Sequence, residues 1–230
     1  MASVCVPLSF TSWDIHDIGT YLQSQNSKTV VIIGLSGMGK TSLYNMLCGT
    51  NAPVSIDAHP CTRKEAEAPC NLIGGQKCTV RDTCGLPEEG SGSFMKFMSD
   101  LFGKSTTKGL QKRLKKLRKE GELHLLIYCM STHSRNKKNS HEKHYKMLTS
   151  VGVPVVVVVT NLELQPQDIS SDDWWSRNKG ELKEFGMNTD TTHGCGVTTL
   201  PKRDLRARGI EGLYDESRKK VKNLISNNIL

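Results

Sequence analysis

The chain lacks several of the features by which sequences most often announce a class. It has no apolar run long enough to cross a bilayer: the longest, Val151 to Thr160, is the length of a strand and contains a proline. Its first ten residues carry neither a basic start nor a long apolar core, so no secretory signal is expected there. None of its eight cysteines forms a C-x-x-C pair. That argues against a zinc site or a disulfide framework and for reduced thiols in a cytoplasmic protein. His141 and His144 stand three apart with no cysteine near them, and they are read as a solvated helix face rather than as metal ligands. Aromatic residues make up 6% of the chain. There is no internal repeat and no low-complexity linker.

What is present is a chain of 230 residues with a net charge of +8, long enough for one sizeable α/β domain. The excess charge is concentrated. Between Lys104 and Glu120 there are eight Lys and Arg against Glu120 alone, with Leu110, Leu114 and Leu117 at helical spacing. This reads as a basic amphipathic helix, either a surface helix whose leucines face the core and whose lysines face water, or one whose partner is an anionic membrane surface. No aromatic residue interleaves with its cations, so nucleic acid is not expected.

Strand and helix signals alternate along the chain. Thr29 to Ile33 is β-branched and apolar, Lys64 to Leu72 and Gln76 to Arg81 flank a turn at Gly74-Gly75, and Glu122 to Met130 and Pro154 to Thr160 read as buried strands. Helices are predicted over Thr41 to Cys48, Asn139 to Ser150, Asp172 to Phe185 and Glu211 to Ile225, with a last strand over His193 to Thr199. The expected fold is α/β, a mostly parallel sheet covered on both faces with one antiparallel edge strand. Residues 1–27 are an N-terminal extension with a short helix near Trp13 to Leu22, residues 28–230 are the domain, and Glu89 to Ser93 is a loop.

The strongest chemical signal is Gly34-Leu35-Ser36-Gly37-Met38-Gly39-Lys40-Thr41, which matches G-x-x-x-x-G-K-[ST] between a strand and a helix. Glycines there let backbone N–H groups surround phosphate oxygens, and the helix N-terminus adds partial positive charge. The expected phosphate contacts are Gly34, Ser36, Gly37, Met38, Gly39, Lys40, Thr41 and Ser42. Lys40 reaches the β- and γ-phosphates, and Thr41 holds Mg²⁺.

Three further motifs follow in order. Asp82-Thr83-Cys84-Gly85 ends a strand, and resembles the D-x-x-G of GTPases, in which the Asp holds Mg²⁺ through water and the Gly N–H meets the γ-phosphate. Thr62, in the loop before the second strand, stands where a GTPase closes a switch hydroxyl over Mg²⁺ and the γ-phosphate. Thr160-Asn161-Leu162-Glu163 stands where GTPases place [NT]-K-x-D, whose carboxylate accepts from guanine N1–H and the 2-amino group. Glu163 keeps two acceptor oxygens on a longer stem, and Asn161 replaces the lysine that stacks beneath the base.

With these motifs in order, residues 28 to about 200 resemble the Ras-like P-loop G domains. Within them the chain resembles the septin, chloroplast-import and immunity-associated GTPases, and most of all fungal G-domain proteins. The finer likeness rests on Val159-Thr160-Asn161-Leu162-Glu163, Asp173-Trp174-Trp175 and His193-Gly194-Cys195-Gly196-Val197-Thr198. The resemblance implies a three-layer P-loop fold, GTP or GDP with Mg²⁺, catalytic roles for Lys40 and Thr62, and a Trp pair that pins a helix against the base-binding loops. It also implies that a backbone N–H at Thr198 meets guanine O6, and that two copies pair through the nucleotide face. Ras has a water-orienting Gln after D-x-x-G; here Leu86 follows Gly85, so slow intrinsic hydrolysis is expected. Arg63 is a further candidate for the γ-phosphate. Two other readings stay open: an assembly or membrane-associated scaffold with little turnover, and an ATP-dependent P-loop enzyme.

Overall fold

A computed structural model describes residues 27–54, 66–83, 85–86, 106–134, 138–165 and 170–229. Thr62, Arg63, Lys104, residues 1–26 of the N-terminal extension and the Glu89 to Ser93 loop lie outside the described residues. The strands are β1 (Lys28–Ile33), β2 (Ala66–Asn71), β3 (Lys77–Asp82), β4 (Leu125–Ser131), β5 (Val155–Thr160) and β6 (Gly194–Gly196). The helices are α1 (Lys40–Cys48), α2 (Thr106–Lys119), α3 (Lys138–Thr149), α4 (Ser171–Glu184), α5 (Lys202–Arg206) and α6 (Gly212–Asn228).

The strands form one sheet in the order β2-β3-β1-β4-β5-β6. All neighbours are parallel except β2 and β3, which form a hairpin closed by a tight turn at Ile73–Gly75. This is the three-layer sheet of a Ras-like P-loop domain, with the antiparallel strand at the edge. β1, β4 and β5 are the buried centre: every residue of β4 and β5 is buried, and Val156 to Val159 are each 0% exposed. Such strands carry apolar residues on both faces because helices cover both faces.

α1 packs on β1, β2 and β3 and against α6, while α2 packs against α3. Leu114 is buried in the core, and Leu110 and Leu117 pack against it. The apolar side of the basic helix is therefore used internally, while Lys108, Lys112, Arg113, Lys115, Lys116, Arg118 and Lys119 are exposed and Arg118 also donates to Val151 O at 3.2 Å. No helix among the described residues is long and apolar enough to cross a membrane.

Several boundaries differ from the expectation, each for a local reason. β4 begins at Leu125 rather than Glu122, because Glu122 N–H returns to Leu117 O at 2.8 Å and closes the end of α2. β6 is three residues long, since Val197 N–H still bonds Val159 O while the chain then turns across the end of β5. α5 was not foreseen; of its five residues only Leu205 is buried. The reading of His141 and His144 as a solvated face is corrected: both are buried. His141 Nδ1 lies 2.8 Å from the Tyr128 hydroxyl, and its Nε2 lies 3.2 Å from Ser134 O. With both ring nitrogens engaged, His141 is a core residue that joins β4 to α3. Trp174 and Trp175 are also buried, and Trp175 Nε1 donates to Thr189 O at 2.9 Å, which holds α4 beside β6.

Candidate nucleotide-binding site

β1 lies between β3 and β4, so the chain leaves it toward one side of the sheet and later returns on the other. Crevices at the C-terminal ends of strands beside such a reversal are where open α/β sheets bind ligands. The glycine loop, D-x-x-G and T-N-L-E segments follow the ends of β1, β3 and β5.

The glycine loop is fixed by its carbonyls. Met38 O accepts from Cys129 Sγ at 2.9 Å and from Thr160 Oγ1 at 2.9 Å, so it points into the sheet between β4 and β5. In a trans peptide the following N–H points the opposite way, which turns the Gly39 amide into the hollow of the loop. Gly39 itself has φ 75°, a left-handed conformation costly for any residue with a Cβ. α1 then starts at Lys40 with no acidic residue in its first turn, leaving its N–H groups and dipole available to an anion. Lys40 is buried, and its Nζ donates to Leu35 O at 3.0 Å, which folds the side chain back over the loop.

Two of the three residues expected at Mg²⁺, Thr41 and Asp82, come together. Thr41 Oγ1 donates to Asp82 Oδ2 at 2.7 Å, and Asp82 is fully buried. A hydroxyl beside a carboxylate is an all-oxygen donor set, which suits a hard cation such as Mg²⁺. Thr83 Oγ1 anchors this strand end to Ile32 O at 2.7 Å. Beyond it Gly85 lies so close to the glycine loop that a Cβ would meet Ser36 Cα at 2.7 Å. Leu86 N–H donates to Gly34 O at 2.8 Å, and Leu86 is 2% exposed. The residue after D-x-x-G is thus part of the core, with its backbone bridged to Leu35.

At the end of β5 the four motif residues divide into two kinds. Thr160 is a tether, its hydroxyl lying 2.9 Å from Met38 O and 3.2 Å from Met130 O. Asn161 is the one non-glycine with positive φ among the described residues, at 64°. Asparagine tolerates that region better than most residues, which is a backbone reason for Asn where other GTPases have lysine. Its side chain donates to Ser131 Oγ at 2.9 Å and accepts from Thr199 Oγ1 at 3.2 Å, joining β4 to the loop after β6. Glu163 Oε2 accepts from Thr199 N–H at 3.3 Å and its Oε1 from Leu200 N–H at 3.1 Å. Burial raises the Glu163 pKa, and the backbone N–H groups of Glu163 itself, Thr199 and Leu200 oppose that rise.

The backbone N–H of Thr198, expected on guanine O6, is instead donated to Ser217 Oγ of α6 at 3.0 Å. The structure thus gathers Gly34 to Ser42, Asp82, Gly85, Thr160, Asn161 and Glu163 along one edge, while Thr198 faces α6. The supporting residues Cys129, Ser131 and Thr199 escaped the sequence reading. Cys129 and Ser131 sit in or at the end of an apolar strand, and nothing in the spacing marks them as partners of the loops.

Comparison with known proteins agrees with this geometry. GTPase Der of Akkermansia muciniphila is 23% identical over 183 residues, covering 78% of this chain and 34% of that protein's length. A structure of an Aquifex aeolicus Era variant bound to GDP and aluminium fluoride superposes with TM-score 0.52 at 18% identity, covering 80% of this chain and 56% of that one. Era in complex with MgGDPNP and nucleotides 1506–1542 of 16S ribosomal RNA gives TM-score 0.54 at 17% identity, covering 81% and 56%. The chain therefore spans about a third of the length of the curated relative and little more than half of the Era chains. Residues 29–161, more than half of the sequence and including the glycine loop, D-x-x-G and the start of T-N-L-E, match the family described as 50S ribosome-binding GTPase, and the chain belongs to that family of GTP-binding P-loop domains.

Proposed function

We propose that the chain is a guanine-nucleotide switch domain that hydrolyses GTP slowly when alone. The observation that carries the slow rate is Leu86, buried with its N–H on Gly34 O where Ras has a water-orienting side chain. An aliphatic side chain facing the core has no group with which to hold a water in line with the γ-phosphate.

In this reading Lys40 exchanges Leu35 O for β- and γ-phosphate oxygens, and the N–H groups from Gly37 to Thr41 take the remaining phosphate lone pairs. Thr41, Asp82 and Thr62 would hold Mg²⁺, which when bound neutralises charge on the phosphates. Gly85 N–H reports the γ-phosphate, because Gly85 already lies against Ser36 and cannot approach the phosphate without shifting the strand end. Glu163 accepts from the guanine edge with the lone pairs left over from Thr199 and Leu200.

Binding of GTP, GDP and ATP, each with and without Mg²⁺, tests the nucleotide. Single-turnover hydrolysis at low protein concentration tests the rate. A rate above about 1 s⁻¹, within the ordinary range of enzymes, contradicts the reading, and so does competition by ATP but not GTP.

The partner is a second matter. The finer likeness to septin, chloroplast-import and immunity-associated GTPases rests on short motifs, and the relatives that match are Der and Era. The family description and the Era complex bring RNA forward as a partner class, against the expectation of no nucleic acid. The outward face of α2 is basic and carries no aromatic residue, so it would meet phosphates rather than stack on bases. A membrane contact through α2 would rest on charge alone, since its leucines pack inward. Pairing of two copies through the nucleotide face would supply the catalytic group that Leu86 does not. Molecular mass measured with GDP and with a non-hydrolysable GTP analogue tests that pairing.

A further inference from the structure

Three cysteines with no part in the nucleotide site meet at the far end of α1. Cys48 is the last residue of α1, about 12 Å along the helix from Lys40. Cys70 and Cys78 face each other as register partners across β2 and β3. The Cys48 and Cys78 thiols both act on the charge of the Cys70 thiol. Cys70 Sγ also lies 3.4 Å from Leu47 O, and Cys48 Sγ 3.9 Å from Ala68 O, so each sulfur reaches the backbone of the other's element. All three are free thiols; Cys70 and Cys78 are buried, and Cys48 is the one that solvent reaches.

The surroundings are cationic. Arg218 and Lys222 of α6 act electrostatically on both Cys48 and Cys70. Arg218 Nε is buried and finds no acceptor among the described residues. A buried guanidinium N–H without an acceptor is costly, and a thiolate beside it would be one. The Cys70 thiol is pulled well below its ordinary range, first by the two thiols that would donate to its anion, and against the effect of burial. The Cys48 thiol is pushed the opposite way, upward, first by its contact with Cys70 and then by burial, so the resting charge of the pair belongs on Cys70.

We propose that Cys48 and Cys70 form a reversible oxidation site that closes as a disulfide between α1 and β2 in the presence of a peroxide. Cys48, the thiol that solvent reaches, gives its proton to the Cys70 sulfur and attacks one peroxide oxygen; the O–O bond breaks, and with proton uptake a sulfenic acid and one water result. The Cys70 sulfur then attacks Cys48 Sγ; the S–S bond forms, the S–O bond breaks, and a second water leaves. Two thiols lose two electrons and the peroxide is reduced to two waters.

The full reduced chain is treated with hydrogen peroxide, remaining thiols are blocked with N-ethylmaleimide, and tryptic peptides are read by tandem mass spectrometry. Expected is a peptide pair joined through Cys48 and Cys70, released by dithiothreitol. Fragment ions distinguish Cys48 from Cys61, which shares its tryptic peptide. The link should vanish in Cys48→Ser and persist in Cys78→Ser. Cys48 lies partly at the surface, so its variant keeps the test valid if changes at Cys70 unfold the chain. Recovery of Cys48 and Cys70 as separate maleimide adducts or as unlinked sulfinic acids overturns the proposal. A Cys70–Cys78 bond in place of Cys48–Cys70 also overturns it.

Discussion

The hydroxyl of Thr160 lies 2.9 Å from the carbonyl oxygen of Met38, across a sequence separation of 122 residues. This contact joins the segment expected to read the base to the loop expected to hold the phosphates. It also helps to decide which way the Met38–Gly39 peptide faces. Thr160→Val keeps the shape and removes the donor, leaving Met38 O with the Cys129 thiol alone. The expected cost is about 1 kcal/mol in urea unfolding. Affinities for GTP and ATP should fall together, because the loop is disturbed and the base contact is not. Thr160→Ser should restore both. Unchanged nucleotide affinity in Thr160→Val, measured by titration calorimetry, would remove the tether from the argument.

Gly85 and Leu86 make the second prediction. A Cβ at position 85 would meet Ser36 Cα at 2.7 Å and Ser36 N at 2.8 Å, both backbone atoms that cannot swing aside. Gly85→Ala should therefore push the D-x-x-G segment off the glycine loop, at a cost of about 1–3 kcal/mol, and weaken triphosphate binding more than diphosphate binding. Leu86→Gln restores the Ras residue type in sequence but buries an amide where the leucine is 2% exposed. The expected result is a loss of about 2–4 kcal/mol with no rise in single-turnover GTP hydrolysis. A gain in hydrolysis would mean that position 86 leaves the core when nucleotide is bound.

A pH dependence follows from His124. Thr29 N–H donates to His124 Nδ1 at 3.0 Å, and His124 N–H donates back to Thr29 O at 3.0 Å, so the two residues fasten the start of β1 to β4. Only a neutral imidazole can accept at Nδ1. Burial, and then the charge of Lys28, lower the His124 pKa from its ordinary 6.5. A base with a depressed folded-state pKa binds fewer protons folded than unfolded. Its contribution is present above 6.5 and is lost as pH falls from there toward the folded value. In thermal melts, wild type should exceed His124→Asn most above pH 6.5, and the difference should shrink as the pH falls below it. A difference that stays constant over that fall would exclude the titration.

How far the fold could be read beforehand depended on how many signals coincided. β5 was legible because Val155 to Val159 form a continuous apolar run, and a strand buried on both faces needs nothing else. The glycine loop was legible because strand, glycines and helix agree. His141 was misread although its neighbours gave the period: His141, His144, Tyr145 and Leu148 share one buried face of α3. Counting histidine as polar hid the stripe. The places of Asn161 and Glu163 at the end of β5 were legible, but their partners were not. The positive φ of Asn161 and the backbone amides of Thr199 and Leu200 depend on where the loop after β6 falls. That loop is placed by tertiary contacts such as Thr198 N–H to Ser217 Oγ, for which the sequence has no local signature.

Glu163 supports the last prediction. Its oxygens accept the backbone N–H groups of Thr199 and Leu200, and its own N–H also acts on the carboxylate, so the group holds the loop and keeps acceptor capacity beyond these bonds. Two roles are thereby combined, and they separate by substitution. Glu163→Gln keeps the length but turns one acceptor into a donor facing an N–H donor. Stability should fall by about 1–3 kcal/mol, and GTP affinity should fall at least about tenfold further than ATP affinity, since a neutral amide cannot accept both guanine N–H groups. Glu163→Asp keeps the charge on a shorter stem. It should lose one of the two loop contacts and part of the stability, yet retain preference for GTP over ATP. Nucleotide competition and thermal melts on the same preparations separate the effects. Equal losses of GTP and ATP affinity in Glu163→Gln would leave Glu163 as a positioning residue for the 199–200 loop, and the guanine contact would have to come from elsewhere.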